Sequence, residues 1–115
     1  LLEEYKPQIG ALKEAVEENG GVFDSETVKK RIAEKEQVTG LPNFWDEPRK
    51  AEQLLSEIKK LKNRIEPWET LIADIEDLQT LYELTQELEP EEQAASIHEL
   101  DTLLKTLRGQ FEKLN

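Results

Sequence analysis

Apolar residues recur every three or four positions along most of this chain, with charged residues between them. This spacing predicts amphipathic α-helices, each burying one stripe of side chains. A stop signal at Asn19-Gly20-Gly21 ends the first stripe, because glycine readily adopts the left-handed conformation that follows many helices. The first stripe consists of Leu2, Tyr5, Ile9, Leu12 and Val16.

A second, shorter helix is expected next, with Ser25 as its N-cap because a serine hydroxyl can accept a hydrogen bond from a free amide. It ends at Thr39-Gly40, and Pro42 blocks its continuation. Its predicted buried stripe consists of Val28, Ile32, the aliphatic stem of Lys35, and Val38.

The third segment is the longest, with Asp46 as its expected N-cap and Pro48 in the first turn, where proline is tolerated. Pro67 lies inside this segment, so the helix either breaks there or kinks and continues. The apolar phase passes from Ile65 to Trp68 without a slip, which favours a continuous, kinked helix. The stripe consists of Ala51, Leu54, Ile58, Leu61, Ile65, Trp68, Ile72, Ile75 and Tyr82.

A final helix is expected after Glu89-Pro90-Glu91-Glu92, because proline suits the first helical position and acids suit the positive end of the helix dipole. Its heptad series is Ile97, Leu100, Leu104, Leu107, Phe111 and Leu114. No alternating strand pattern is present.

These elements predict an all-α fold, an elongated helical bundle built on a long antiparallel helical hairpin with two shorter N-terminal helices. The hairpin arms are residues 47–88 and 90–114. The first arm would be about 60 Å long at ~1.5 Å per residue. We expect the two short helices to pack along the part of it that the second arm does not reach.

Composition favours one slender domain, residues 1–115, because only 37% of the residues are hydrophobic and 36% are charged. The absence of cysteine excludes disulfides and thiolate metal sites. No apolar run approaches the roughly 18 residues of a membrane span, so no membrane partner is expected. Because the chain starts with Leu1 rather than Met and ends within a periodic pattern, we expect a fragment of a longer protein.

The net charge of −11 is unevenly distributed. Residues 66–104 contain 12 acids and no Lys or Arg, whereas residues 1–65 contain 13 acids and 12 basic residues. An acidic face of this length repels nucleic acid, which argues against a DNA partner, and suits either a basic protein surface or plain solvation. Of these two, the pattern favours solvation.

Two groups of basic residues are candidates for contacts with RNA phosphate. The alternative, which the spacing favours, is pairing with nearby acids such as Glu26, Glu34, Glu57 and Glu66. The two groups are Lys29, Lys30 and Arg31 in the second helix, and Lys59, Lys60, Lys62 and Arg64 in the third.

The pattern contains no catalytic site. His98 is the single histidine, whereas a metal or acyl-transfer site needs three ligands or a histidine paired with a nucleophile. Gly20-Gly21 lacks the following Lys-Ser/Thr and the preceding strand of a phosphate-binding loop. We therefore expect no enzyme, with no catalytic residues, metal ligands or cofactor.

Two adjacent aromatic residues, Phe44 and Trp45, lie in the loop between the second and third helices. We expect both to be buried there as a cap on the bundle, so that Trp45→Ala would cost about 3–5 kcal/mol. The alternative is an exposed pair that binds a partner.

The same loop carries a resemblance. Asn43-Phe44-Trp45-Asp46-Glu47-Pro48, followed by Ala51, resembles the Phe-Trp-Asp/Asn segment of the bacterial peptide chain release factor 2 family, class I factors that read UGA and UAA. The neighbouring helices Lys29–Glu36, Leu81–Glu92 and Leu100–Leu114 also fit that family's N-terminal helical domain. The resemblance therefore covers nearly the whole chain. The signature residues are Phe44, Trp45, Asp46, Pro48 and Ala51.

The resemblance implies a cytoplasmic, auxiliary role in translation termination. The family's Ser-Pro-Phe and Gly-Gly-Gln motifs belong to later domains and match no position here. The implied partners are the ribosome near the stalk base of the large subunit, its rRNA, and the class II release-factor GTPase. Without the resemblance, the pattern fits a helical-hairpin scaffold or chaperone-like protein, which would self-associate through its heptad seams.

Overall fold

The computed structural model describes the backbone of residues 1–19 and 21–115 and the side chains of residues 1–19 and 25–115. The all-α prediction is confirmed, since the described residues contain helices and no strand. None of these helices is long and apolar enough to cross a membrane. In chain order the elements are a 3₁₀ turn at Leu2–Glu4, α1 at Tyr5–Glu18, α2 at Gly21–Thr39, a 3₁₀ turn at Phe44–Asp46, α3 at Pro48–Gln86 and α4 at Pro90–Leu114.

The antiparallel hairpin of α3 and α4 forms the long axis of the molecule. The α3 helix runs for 39 residues and α4 for 25, and the whole molecule measures 65 × 24 × 17 Å. Helical structure continues through Pro67, which confirms the prediction that α3 is continuous there rather than broken. The stop signal after α1 is confirmed at Asn19, whereas its Gly20 lies outside the described residues.

The larger core is a three-helix bundle of α1, the C-terminal half of α3, and α4. The expectation that both short helices lie along the free part of α3 is therefore wrong for α1. The stripe of α3 is too wide for α4 alone to cover, and α1 closes the remaining side. The buried residues of this core are Leu2, Ile9, Leu12, Val16, Leu71, Ile75, Leu78, Tyr82, Leu100, Leu104 and Leu107.

The smaller core lies between α2 and the N-terminal half of α3, where the expected packing is confirmed. It consists of Val28, Ile32, Ile58 and Ile65, with Leu54 and Leu61 packed against it. We refer to this two-helix part, residues 25–65, as the arm. The end of α4 packs beside Trp68 through Phe111, so the arm extends beyond the end of α4.

Two predicted helix caps are wrong. The α2 helix begins at Gly21, so Ser25 lies inside it, where its side chain is buried, and tertiary packing outweighs its preference for a cap. Phe44–Asp46 form a 3₁₀ turn, which makes Glu47 rather than Asp46 the N-cap of α3. Pro48 occupies the first turn of α3, as predicted.

Candidate interaction site

The turn between α2 and α3, residues 40–47, lies where the arm ends. Its backbone is ordered by hydrogen bonds from amides to carbonyls three residues earlier. These bonds run from Gly40 to Gln37 (3.2 Å), Leu41 to Val38 (3.1 Å), Phe44 to Leu41 (3.2 Å) and Asp46 to Asn43 (3.2 Å). The turn therefore holds its side chains in a defined arrangement.

Phe44 and Trp45 form an edge-to-face pair at this turn, with ring centroids 4.8 Å apart and an interplanar angle of 77°. Phe44 is half-buried, but Trp45 is 64% exposed. The predicted burial is therefore wrong for Trp45. Only two helices meet at this end of the molecule, so no third layer covers the indole. The cost of about 3–5 kcal/mol expected for Trp45→Ala belongs to a buried ring and does not apply here.

Two further apolar side chains are exposed close by. Val38, predicted to be part of the buried stripe of α2, is 42% exposed, and Leu41 is 54% exposed. We refer to Val38, Leu41, Phe44 and Trp45 as the apolar tip. Single exposed apolar residues are normal on a protein surface, but several at one end, with a tryptophan among them, are typical of an interaction site.

The remaining signature residues divide into exposed and structural ones. Asp46 is exposed beside Trp45. Glu47 forms an exposed ion pair with Lys50 at 2.9 Å, and its hydrogen bond raises the pKa of Lys50. Ala51 is buried, and its amide donates to the carbonyl of Glu47 at 3.0 Å. Pro48 and Ala51 thus start and pack α3, whereas Trp45 and Asp46 are available to a partner.

The candidate RNA-contacting residues lie on both helices of the arm. Lys29 pairs with Glu69 at 3.1 Å and Lys62 pairs with Glu36 at 3.2 Å, each pair bridging α2 and α3. The alternative of pairing with acids is thus confirmed for these two lysines, although neither partner is among the acids named in advance. The other five candidates, which are also exposed, are Lys30, Arg31, Lys59, Lys60 and Arg64.

A polar cluster that sequence reasoning missed joins α1 to α4. The Tyr5 hydroxyl donates to Asp101 Oδ1 at 3.1 Å, and Lys105 Nζ lies 2.8 Å from Asp101 Oδ2. The hydrogen bond from Lys105, followed by that from Tyr5, lowers the pKa of Asp101. Desolvation, followed by the bond to Asp101, raises the pKa of Tyr5. No local pattern could reveal this cluster, because Tyr5 and Asp101 are 96 positions apart.

The rest of the described surface offers little for chemistry. His98 is exposed on α4. Among the side chains of residues 1–19 and 25–115, no group of three or more His, Asp or Glu residues is arranged to hold a metal ion. The apolar tip is therefore the strongest candidate for a functional surface.

The fold and this turn define the class of protein: an elongated all-α domain built on a long helical hairpin. Within that class, the chain belongs to the peptide chain release factor family, because the model of the PCRF domain matches residues 28–115. The match includes the apolar tip, whereas α1 lies outside it.

Individual relatives agree with the family match. The chain is 39% identical over 102 residues to peptide chain release factor 2 of Treponema pallidum, covering 88% of this chain and 27% of the relative. It is 31% identical over 111 residues to the same factor of an Arthrobacter species, covering 96% of this chain and 29% of the relative. It is also 31% identical over 123 residues to the factor of Clostridium perfringens, covering 99% of this chain and 34% of the relative. The chain thus spans about a third or less of these relatives. No solved structure matches it.

Proposed function

We propose that this chain is the N-terminal domain of a cytoplasmic translation termination factor. The whole factor recognises the stop codons UGA and UAA and promotes hydrolysis of peptidyl-tRNA on the ribosome. The observation that carries the proposal is the PCRF match over residues 28–115, which includes the Phe-Trp-Asp turn. The named relatives, each a peptide chain release factor 2, support the proposal that the factor is of type 2.

Within that factor, this domain binds and positions rather than catalyses. Support comes from its shape, since a helical rod 65 Å long can reach across a gap and present its end to a partner. Its proposed location is near the stalk base of the large subunit, within reach of the class II release-factor GTPase. Codon reading and hydrolysis then belong to the Ser-Pro-Phe and Gly-Gly-Gln domains that follow in the family.

The charge distribution supports a fixed orientation on the ribosome. Residues 66–104 contain 12 Asp or Glu residues and no Lys or Arg. Phosphate repels such a surface, so this part of the domain turns away from rRNA and towards basic ribosomal proteins. The exposed basic side chains of the arm, among them Lys59, Lys60 and Arg64, are the proposed contacts with rRNA phosphate.

The gene itself provides the first test. Sequencing the coding region beyond Asn115 should reveal a continuation that encodes Ser-Pro-Phe and then Gly-Gly-Gln. A continuation without both motifs would contradict the proposal. The helical-scaffold function would then be favoured, and analytical ultracentrifugation should detect self-association.

Ribosome binding provides the second test, by co-sedimentation of the chain with purified bacterial ribosomes. Four exposed acids of the α3 end can be neutralised together as Glu76→Gln, Asp77→Asn, Glu83→Gln and Glu87→Gln. Because this removes attraction to basic protein surfaces, we expect binding to weaken several-fold at low salt.

A matched control removes the same charge from other exposed acids, Glu4, Glu14, Glu17 and Glu18, each changed to Gln. Binding that is equally unaffected by both sets of changes would overturn the proposed orientation. The basic contacts are tested by the triple change Lys59→Gln, Lys60→Gln and Arg64→Gln, which should make binding less dependent on salt concentration. An unchanged salt dependence would exclude these residues as phosphate contacts.

A further inference from the structure

The apolar tip is already organised for binding before any partner arrives. Four backbone hydrogen bonds order the turn, and the half-buried Phe44 holds the Trp45 ring edge-to-face, with the ring centroids 4.8 Å apart. A partner would therefore need to immobilise few side chains, which reduces the entropic cost of association. Tryptophan is also among the residues that most often dominate the binding energy of a protein interface.

The position of the turn allows it to enter a concave surface. The three-helix bundle ends near Trp68 and Phe111, and beyond it only α2 and the N-terminal half of α3 continue to the turn. The tip is therefore the end of a two-helix arm, narrower than the bundle behind it. An exposed ring on a narrow end suits insertion into a pocket rather than contact with a flat surface.

The charges around Trp45 indicate which kind of pocket fits. Asp46 follows the ring directly and is exposed, Arg49 and Glu52 are also exposed, and Lys50 is engaged by Glu47. Residues 43–52 contain three acids and two bases, a net charge of −1. A surface that stacks single-stranded RNA combines aromatic rings with a basic groove, whereas here a carboxylate adjoins the ring. A protein pocket with an apolar floor and basic side chains at its rim is complementary to this arrangement.

We infer that the apolar tip docks into an apolar, basic-rimmed pocket on a ribosomal protein, with Trp45 as the inserted side chain. The inference rests on the proposed function, and it assigns a contact that the family match does not. Phe44 is a positioning residue, since it orients the indole. Leu41 contributes to the rim of the contact.

The experiment measures the affinity of the chain for purified 70S ribosomes by co-sedimentation. The variants are Trp45→Ala, Trp45→Phe and Leu41→Ala, with Leu1→Ala as a matched control because it truncates another exposed apolar residue, 77% exposed, near the turn between α3 and α4. We expect Trp45→Ala to weaken binding about tenfold or more. Trp45→Phe should lose less, Leu41→Ala should weaken binding several-fold, and Leu1→Ala should leave it unchanged.

Circular dichroism shows whether each variant is folded, and the exposure of Trp45 predicts an almost unchanged melting curve for Trp45→Ala. The same titrations with protein-free 23S rRNA show whether the apolar tip binds protein or RNA. The affinity for this rRNA is expected not to depend on Trp45. A Trp45-dependent affinity for the bare rRNA would overturn the assignment to a protein pocket.

The failure of the inference and that of the proposed function give different results. If the wild-type chain binds ribosomes and Trp45→Ala and Leu41→Ala bind equally well, the docking site is wrong while the proposed function stands. If the wild-type chain does not bind ribosomes at all, the proposed binding role fails, and the docking site fails with it.

Discussion

Trp68 and Phe111 pack edge-to-face, with ring centroids 6.3 Å apart and an interplanar angle of 71°. The pair joins α3, one residue after Pro67, to the last turns of α4. It thus fixes the last turns of α4 against α3 next to Pro67, a residue that disfavours helix. On one side of Pro67 the helix α3 packs against α4, and on the other side it packs against α2. These contacts offset the cost of the proline, which explains why α3 continues through it.

We predict that Pro67→Ala stabilises the domain. Proline cannot donate a hydrogen bond to the carbonyl of Asn63, and its ring crowds that carbonyl, whereas alanine restores the bond. The expected gain is about 1–3 kcal/mol in the free energy of unfolding, measured by urea denaturation. Pro48→Ala is the control, because Pro48 occupies the first turn of α3, where the missing N–H costs little. Equal effects of the two changes would contradict the explanation.

Neighbouring leucines on α4 provide a test of the core. Leu104 is 1% exposed and Leu103 is 38% exposed. Leu104→Ala should reduce the free energy of unfolding by about 2–5 kcal/mol, because it leaves a cavity between α4 and its two partners. Leu103→Ala should cost less than about 1 kcal/mol. Chemical denaturation of both variants measures the two losses in free energy of unfolding. Similar losses would mean that α4 buries a different face in the core.

The helices themselves were predictable from the sequence, because their signals are local. The three-four spacing of Leu100, Leu104 and Leu107 predicted the buried face of α4, and all three are buried. Proline and glycine signals located the hairpin turn near Pro90 and the end of α2 near Gly40. Even the continuity of α3 through Pro67 followed from an unbroken apolar phase.

The exposure of Trp45 could not be predicted in this way. A large aromatic between two helices is buried only if a third element covers it, and that depends on where α1 packs. The α1 stripe gives no sign that its partner is the α3–α4 hairpin rather than the arm. Since α1 joins the other end of the molecule, the turn at Trp45 stays uncovered. Candidate sites at loops therefore depend on long-range packing that helical periodicity does not encode.

The turn between α3 and α4 is held by a buried polar network around Thr85. Thr85 is fully buried, its hydroxyl donates to the carbonyl of Leu81 at 2.7 Å, and it also hydrogen bonds with the Ser96 hydroxyl. Thr85→Val keeps the shape but leaves Ser96 without this partner, so we expect a loss of about 1–2 kcal/mol. Thr80→Val is the control, since Thr80 also donates to the carbonyl four residues earlier but is exposed.

The Thr85 prediction is measured by thermal denaturation of the two valine variants and of Ser96→Ala. The double change Thr85→Val with Ser96→Ala should cost less than the sum of the single changes, because both remove the same hydrogen bond. Additive losses would show that the two hydroxyls act independently.

The hydrogen bond between Tyr5 of α1 and Asp101 of α4 should make the stability of the fold depend on pH. Hydrogen bonds from Lys105 and Tyr5 hold the pKa of Asp101 below the 3.8 of an unperturbed carboxyl. A group whose pKa is lower in the folded state stabilises the fold above its unfolded pKa, and this contribution disappears as the pH falls through the folded value. Wild type should therefore be more stable than Asp101→Asn near neutral pH, and the difference should close as the pH falls below about 4. Paired melting curves from pH 7 to pH 3 measure this difference, with Asp77→Asn on the exposed face of α3 as the control. A difference that stays constant across this range would show that Asp101 acts through packing rather than through its charge.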